Sequence, residues 1–292
     1  MTISRDQIID TVKRQKTLPS IPDLVVRLEE ELRKKEPSVQ EVSHLLEQDP
    51  ALSLRILSVA NSAFYNRGKE TTSVRQAMMR LGFAEIRRLA VAAMVVDNYK
   101  DFCGGSPALF WGHALAVAFA TRAVSTFCTA PLEQDTIESA FTCGLLHDLG
   151  VMAFGQLYPS EYQALIVQLL REGGDICDLE MGTFGIDHGE VGAILMRGWD
   201  LPEAMCKVVE YHHRPWMSDA SDLAVTLLTQ LVHMADFICS NQGYGRRRQI
   251  LPSAFDESAW DSLGLSLEKV PEIIARVAEE GKRSDVFMGA FG

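Results

Sequence analysis

The chain has 292 residues, 47% of them hydrophobic and 23% charged, the balance of a globular protein with one large domain or two modest ones. Its formal net charge of −11 is uneven: residues 1–100 carry 16 Lys and Arg against 13 Asp and Glu, and the remainder carries −14. An acidic majority argues against a nucleic-acid partner, which needs a basic face.

No apolar run reads as long enough to span a bilayer, and Met1 to Thr17 is too polar for a signal peptide. Cys103, Cys128, Cys143, Cys177, Cys206 and Cys239 are scattered, with no C-x-x-C. Several read as small buried hydrophobes, and the set fits a reducing, cytoplasmic setting.

In chain order, Leu18-Pro-Ser-Ile-Pro22 predicts an extended connector, because each Pro biases the residue before it away from α. Ser38-Val-Gln-Glu41 and Ser73-Val-Arg-Gln76 predict capping boxes at two helix starts, and Asp49-Pro50 an N-cap with Pro at the first helical position. Leu81-Gly82 predicts a helix stop. Small residues at Cys103-Gly-Gly-Ser-Pro107 punctuate two helical patterns. Beyond them come apolar helices around His113, over Ile137 to Leu146, from His188, from Pro202 to His213, and over Leu227 to Cys239. Arg246-Arg-Arg248 reads as a solvated linker, and Leu265 to Glu280 as a helix with Pro271 in its first turn.

Period-two alternation is missing, so the expected fold is all-α, about a dozen helices with short loops. The expected division is a first helical subdomain over 1–103, a helical bundle over 104–245 and a C-terminal helical extension over 246–292.

Chemistry concentrates in the second part. His113, His147, Asp148, His188, His212, His213 and Asp236 lie on successive helical segments. His147 and Asp148 close an apolar helix, where a polar pair is costly unless both groups find partners. A divalent metal satisfies both at once. Asp187 reads as the N-cap of the helix opened by His188, and Asp236 sits mid-helix among apolar residues. His233 reads as a neighbour of the ligands or a surface group. Ligands on separate helices of a bundle converge inward.

The order His, His-Asp, Asp resembles the HD superfamily of helical metal-dependent phosphohydrolases. Leu18 to Pro22, Leu46-Glu-Gln-Asp-Pro-Ala-Leu to Ala60-Asn-Ser-Ala-Phe-Tyr65, Ala77 to Gly82, Phe184-Gly-Ile-Asp-His188, Gly198-Trp-Asp-Leu-Pro202 and Tyr211-His-His213 are similar to the HDOD family, HD-related output domains of bacterial signalling. This resemblance covers roughly residues 15–240. It implies two packed helical subdomains, the second of HD type, and a protein partner in signal transduction.

The resemblance also implies ligands for two divalent ions. His113, His147, Asp148 and Asp236 would hold one, and Asp148, His188 and His212, assisted by His213, the other. With no Cys among them, Fe or Mn is favoured over structural zinc. An active member would use Asp148 as the bridge of a catalytic metal pair and take a small phosphorylated ligand. The cyclic-dinucleotide phosphodiesterases of the superfamily carry His-Asp-x-Gly-Lys and then a Gly-Tyr-Pro motif. Here Val151 stands in place of the Lys, and Arg214-Pro-Trp-Met217 follows the His pair. The resemblance thus keeps the ligands and lacks the substrate-handling groups. A helix-turn-helix regulator over 38–98 is the weakest reading, for want of a basic recognition helix.

Overall fold

The computed structural model describes residues 4–14, 23–32, 34, 36–66, 68, 70–99, 106–218, 221–244 and 255–291, and no strand occurs among them. The connector at Leu18–Pro22, the Gly pair after Cys103 and the Arg246–Arg248 run lie outside the described residues. Contacts divide the chain into two compact units, residues 1–18 with 101–282 and residues 19–100 with 283–292.

Helix α1 (Arg5–Arg14) belongs to the larger unit. The smaller unit holds α2 (Asp23–Leu32), α3 (Val39–Glu47), α4 (Pro50–Asn61), α5 (Val74–Leu81) and α6 (Phe83–Tyr99). Its helix starts follow the sequence. Ser38 accepts from the Glu41 amide, Asp49 from those of Ala51 and Leu52, and Ser73 from that of Gln76. The capping boxes are one-sided, however. The Ser38 amide donates to Glu31 (3.4 Å) and not to Glu41, and Gln76 accepts from the Thr72 amide (3.0 Å). Leu28, Leu46, Ile56 and Ile86 form the fully buried centre of this unit.

Its polar motif residues are structural. The Asn61 side chain donates to the Thr71 carbonyl and accepts from the Thr71 amide, both at 2.7 Å. Arg80 donates to the carbonyl of Ala60 at 2.9 Å. Each ties the chain after α4 to α5 by satisfying backbone groups that no helix pairs. Buried Glu85 accepts from Tyr65 and Arg88.

In the larger unit follow α7 (Pro107–Ser125), α8 (Gln134–Leu146), α9 (Leu149–Leu157), α10 (Pro159–Glu172), α11 (Ile176–Phe184), α12 (His188–Gly198), α13 (Glu203–Tyr211), α14 (Leu223–Gln242), α15 (Glu257–Ser262) and α16 (Val270–Phe291), whose residues from Arg283 onward count with the smaller unit. Helices α7 and α14 are its spine: they pack on each other and on α8, while α12 packs on both α9 and α13. Ala120, Leu231, Ala235 and Ile273 lie in the core between α7, α14, α15 and α16.

Two expectations need correction. Helices α7 and α14 do have the length and hydropathy of membrane spans, but 72% of each apolar window is buried inside the protein. A helix apolar on all sides is here a core helix wrapped by its neighbours. The C-terminal helix starts at Val270, later than Leu265, and runs on to Phe291, past Glu280. Gly281 does not stop it. A Cβ there would stand 2.7 Å from the Tyr244 ring, so this glycine serves close packing.

Candidate metal centre

The seven residues singled out by the sequence come together in the larger unit. His113 projects from the first half of α7, His147 ends α8, Asp148 begins α9, His188 opens α12, His212 ends α13 and Asp236 lies in α14. All six are 0–2% exposed. His213 follows at the same helix end, its ring centroid 4.1 Å from that of His212 and 4.8 Å from that of His188.

Local sequence produces this convergence. Helix α8 stops at His147, whose backbone is still helical, and Asp148 at φ −94°, ψ 13° turns the chain into α9. Two adjacent residues thus face one point from two helices. Gly150 lets α9 meet the start of α12 at backbone contact. Asp187 caps α12 by accepting from the Glu190 amide, as expected, and receives Arg214 at 3.0 Å. That ion pair links the segment after the His pair to the start of α12.

Asp148 stands at the centre. Its Oδ2 lies 3.3 Å from His147 Nε2 and 3.9 Å from His113 Nε2. Its Oδ1 lies 3.4 Å from His188 Nε2 and 3.9 Å from His212 Nε2. One carboxylate therefore offers one oxygen to each of two donor groups. His113, His147 and Asp236 form the first, with His113 Nε2 at 2.9 Å from Asp236 Oδ1. Asp148, His188, His212 and His213 form the second, with a donor atom from each within 4.8 Å of the others.

The direction of the rings is informative. His113, His147 and His212 each point Nδ1 at a backbone carbonyl, those of Tyr244, Gly144 and Val209, at 3.1, 2.8 and 2.7 Å. His188 points Nδ1 at Glu180 Oε2, 2.7 Å away. Carbonyl oxygen only accepts, so these Nδ1 atoms carry the proton, and neutral rings then turn an Nε2 lone pair inward. Lone pairs so placed face the oxygens of Asp148 and Asp236. Such an arrangement repels unless protons or a cation lie between.

Protons are disfavoured at His212 and His213. Burial, and next the neighbouring rings of His213, His147 and His188, push the His212 imidazole well below its ordinary value. Burial and His188 lower His213 in the same way. Burial opposes the charge of Asp236, but the hydrogen bond and charge of His113 outweigh it and keep the carboxyl well below its usual range. Burial likewise opposes a charged His188, and Glu180 outweighs it and raises that ring. The Nε2 atoms of His188 and His212 and both ring nitrogens of His213 are buried without a hydrogen-bond partner. Inward-facing imidazole nitrogens beside two buried carboxylates are a donor set that can hold a divalent metal.

A model of the HDOD domain matches residues 18–215. The chain belongs to the HDOD family. Asp236 lies beyond that match, so the first donor group is completed by a helix outside it. The fold is that of an HDOD domain protein of unknown function from Geobacter sulfurreducens, at TM-score 0.74 and 24% identity over 94% of this chain and 98% of that one. A protein of Shewanella amazonensis SB2B, provisionally called a phosphohydrolase, has the same fold at TM-score 0.73 and 22% identity, covering 98% of each chain. An uncharacterised protein of Treponema pallidum (strain Nichols) is 25% identical over 202 residues, 67% of this chain and 37% of that one. This HDOD chain thus spans little more than a third of that curated relative's length.

One residue beside the ligands was not singled out by the sequence. Glu180 is fully buried and holds His188. His233, left open between a neighbour of the ligands and a surface group, is 1% exposed and bonds through Nδ1 to the His212 carbonyl at 2.8 Å. A Glu among the polar residues of a short helix gives no signal of this kind until its neighbours are known.

Proposed function

We propose that this HDOD chain is a bacterial signalling protein that acts by contact with a protein partner and carries a buried divalent-metal centre. Four rings that commit Nδ1 outward and turn Nε2 toward buried carboxylates carry the metal reading. His113, His147, Asp148 and Asp236 would hold one ion, and Asp148, His188, His212 and His213 a second. A bound cation supplies the positive charge that the inward lone pairs and carboxylates lack. With oxygen and imidazole donors and no thiolate, Mn or Fe suits the set.

Burial favours a partner-binding role over phosphodiester turnover. A phosphoryl group must come within bonding distance of the reacting centre, and ligand sites are normally concave and open. Here all six donors from His113 to Asp236 are 0–2% exposed. Just beyond His213, Trp216 and Met217 are 63% and 56% exposed, apolar surface of the kind a partner covers.

Metal analysis of protein made without a polyhistidine tag tests the reading. Stoichiometric Mn or Fe in the wild type, lost in Asp148→Ala, is the expected result. Metal-free wild-type protein whose melting temperature does not move on adding Mn(II) or Fe(II) would overturn it.

A further inference from the structure

In the donor cluster, His113, His147 and His212 are oriented by main-chain carbonyls, which no substitution at the acceptor residue removes. His188 is oriented by a side chain. Glu180 Oε2 accepts from both the His188 amide (2.8 Å) and Nδ1 (2.7 Å), and Oε1 accepts from the Tyr162 hydroxyl at 2.7 Å. Glu180 lies on α11, eight residues before His188 and across the turn in which Gly185 adopts φ 68°.

The surroundings of this carboxylate are apolar. Tyr162 stacks on Phe154 at 5.4 Å between centroids, and Phe154 on Phe184 at 4.7 Å. A carboxylate buried beside such rings is costly unless each oxygen is bonded, and here both are. Cys177 also lies close enough to Glu180 and His188 for the three to count as a donor group. Glu180 and His188 Nδ1 are already spent on each other, which removes that trio as a separate metal site.

We propose that Glu180 is a positioning residue for His188, with Tyr162 holding Glu180 in turn. It locks the ring in the Nδ1–H tautomer and aims Nε2 at Asp148, where the second ion would sit. This deepens the metal reading above and rests on it. An ionised acceptor also makes the imidazole a better donor than a neutral carbonyl does, and partners that orient metal-ligating His rings typically account for about 10–100-fold in affinity.

The test compares wild type, Glu180→Met, Glu180→Gln and Tyr162→Phe. Mn(II) binding is measured by titration, with free Mn(II) read by electron paramagnetic resonance. Ring tautomers of the metal-free proteins are read from long-range proton–nitrogen-15 spectra. Glu180→Met should weaken Mn(II) binding about 10–100-fold and shift His188 from the Nδ1–H tautomer. Glu180→Gln can turn its amide oxygen to His188 and its amino group to the Tyr162 oxygen, so it should restore the tautomer and most of the affinity. Tyr162→Phe should cause a smaller loss in the same direction.

A variant set that lowers the melting temperature while leaving affinity and His188 tautomer at wild-type values would reduce Glu180 to a structural role and overturn the proposal. If Glu180→Met does not fold, Tyr162→Phe decides, and wild-type affinity with an unchanged His188 tautomer in that variant rejects it. Failure of the metal reading looks different. Wild type itself would then bind no Mn(II), while the tautomer spectra would still report whether Glu180 orients His188.

Discussion

A Cβ on Gly150 would stand 1.9 Å from the carbonyl oxygen of His188. The contact is backbone against backbone, so no rotamer can relieve it, and Gly150 lies two residues from Asp148. The separation of α9 and α12 therefore sets the distance between the central carboxylate and the second donor group. Gly150→Ala should push the two helices apart, destabilise by about 3 kcal/mol and lower the melting temperature by roughly 6–12 °C. Gly198→Ala, where an added Cβ meets nothing within 4 Å, is the control and should be near neutral. Thermal melts of the two variants check this, and equal melting temperatures would remove the close approach as a constraint.

Removing metal should be visible as lost stability. A ligand bound to the native state at a thousand times its dissociation constant adds about 4.1 kcal/mol. Chelator treatment of the tag-free protein should lower the denaturant midpoint, and added Mn(II) should restore it. Asp148→Ala should show neither response, because its two oxygens serve both donor groups. A wild-type midpoint that ignores chelator would contradict the centre.

Much of the fold was legible because several helix ends have strong local chemistry. Asp187 as cap, the Asp49-Pro50 start and the stop at Gly82 follow from backbone groups and φ preferences at single residues. The metal series was legible because polar residues inside apolar helices are costly, and Asp236 on α14 is the clearest case. Glu180 was not. Asp178-Leu-Glu-Met-Gly182 reads as an ordinary helix surface, and only the stacking of Phe154, Tyr162 and Phe184 around it makes it a core residue. That α7 and α14 have the length and hydropathy of spans was missed, and their role as core helices rests on all-round burial, a tertiary property.

In the smaller unit, Glu85 links pH to stability. Burial opposes its charge, but Arg88, Tyr65 and Arg283 outweigh burial and hold the carboxyl below the ordinary value of 4.5. A carboxyl lowered in the folded state contributes stability above its unfolded pKa and loses it as pH falls through the folded value. Wild type should therefore lose stability steadily below pH 4.5. Glu85→Gln should start about 1.5–3 kcal/mol lower at pH 7 and fall less steeply below 4.5. Urea midpoints between pH 7 and pH 3 decide it, and parallel profiles for the two proteins would show that Glu85 is not the linked group.

Hydrolysis of cyclic di-guanylate offers the sharpest contrast between signalling and enzymatic readings. In the HD phosphodiesterases that the sequence resembles, a Lys follows His-Asp-x-Gly, and here Val151 takes that place and offers no donor to a phosphate. The donors behind it are buried, His147 at 0% and Asp148 at 1% exposure. Charge stabilisation and positioning of the reacting group supply much of a hydrolase's rate enhancement, and both need contact between substrate and site. Wild type loaded with Mn(II) should therefore turn over cyclic di-guanylate no faster than Asp148→Ala, as measured by product formation over many enzyme equivalents. Multiple turnovers that vanish in Asp148→Ala would mean that the buried donors become accessible in solution, and the phosphohydrolase reading would replace the one argued above.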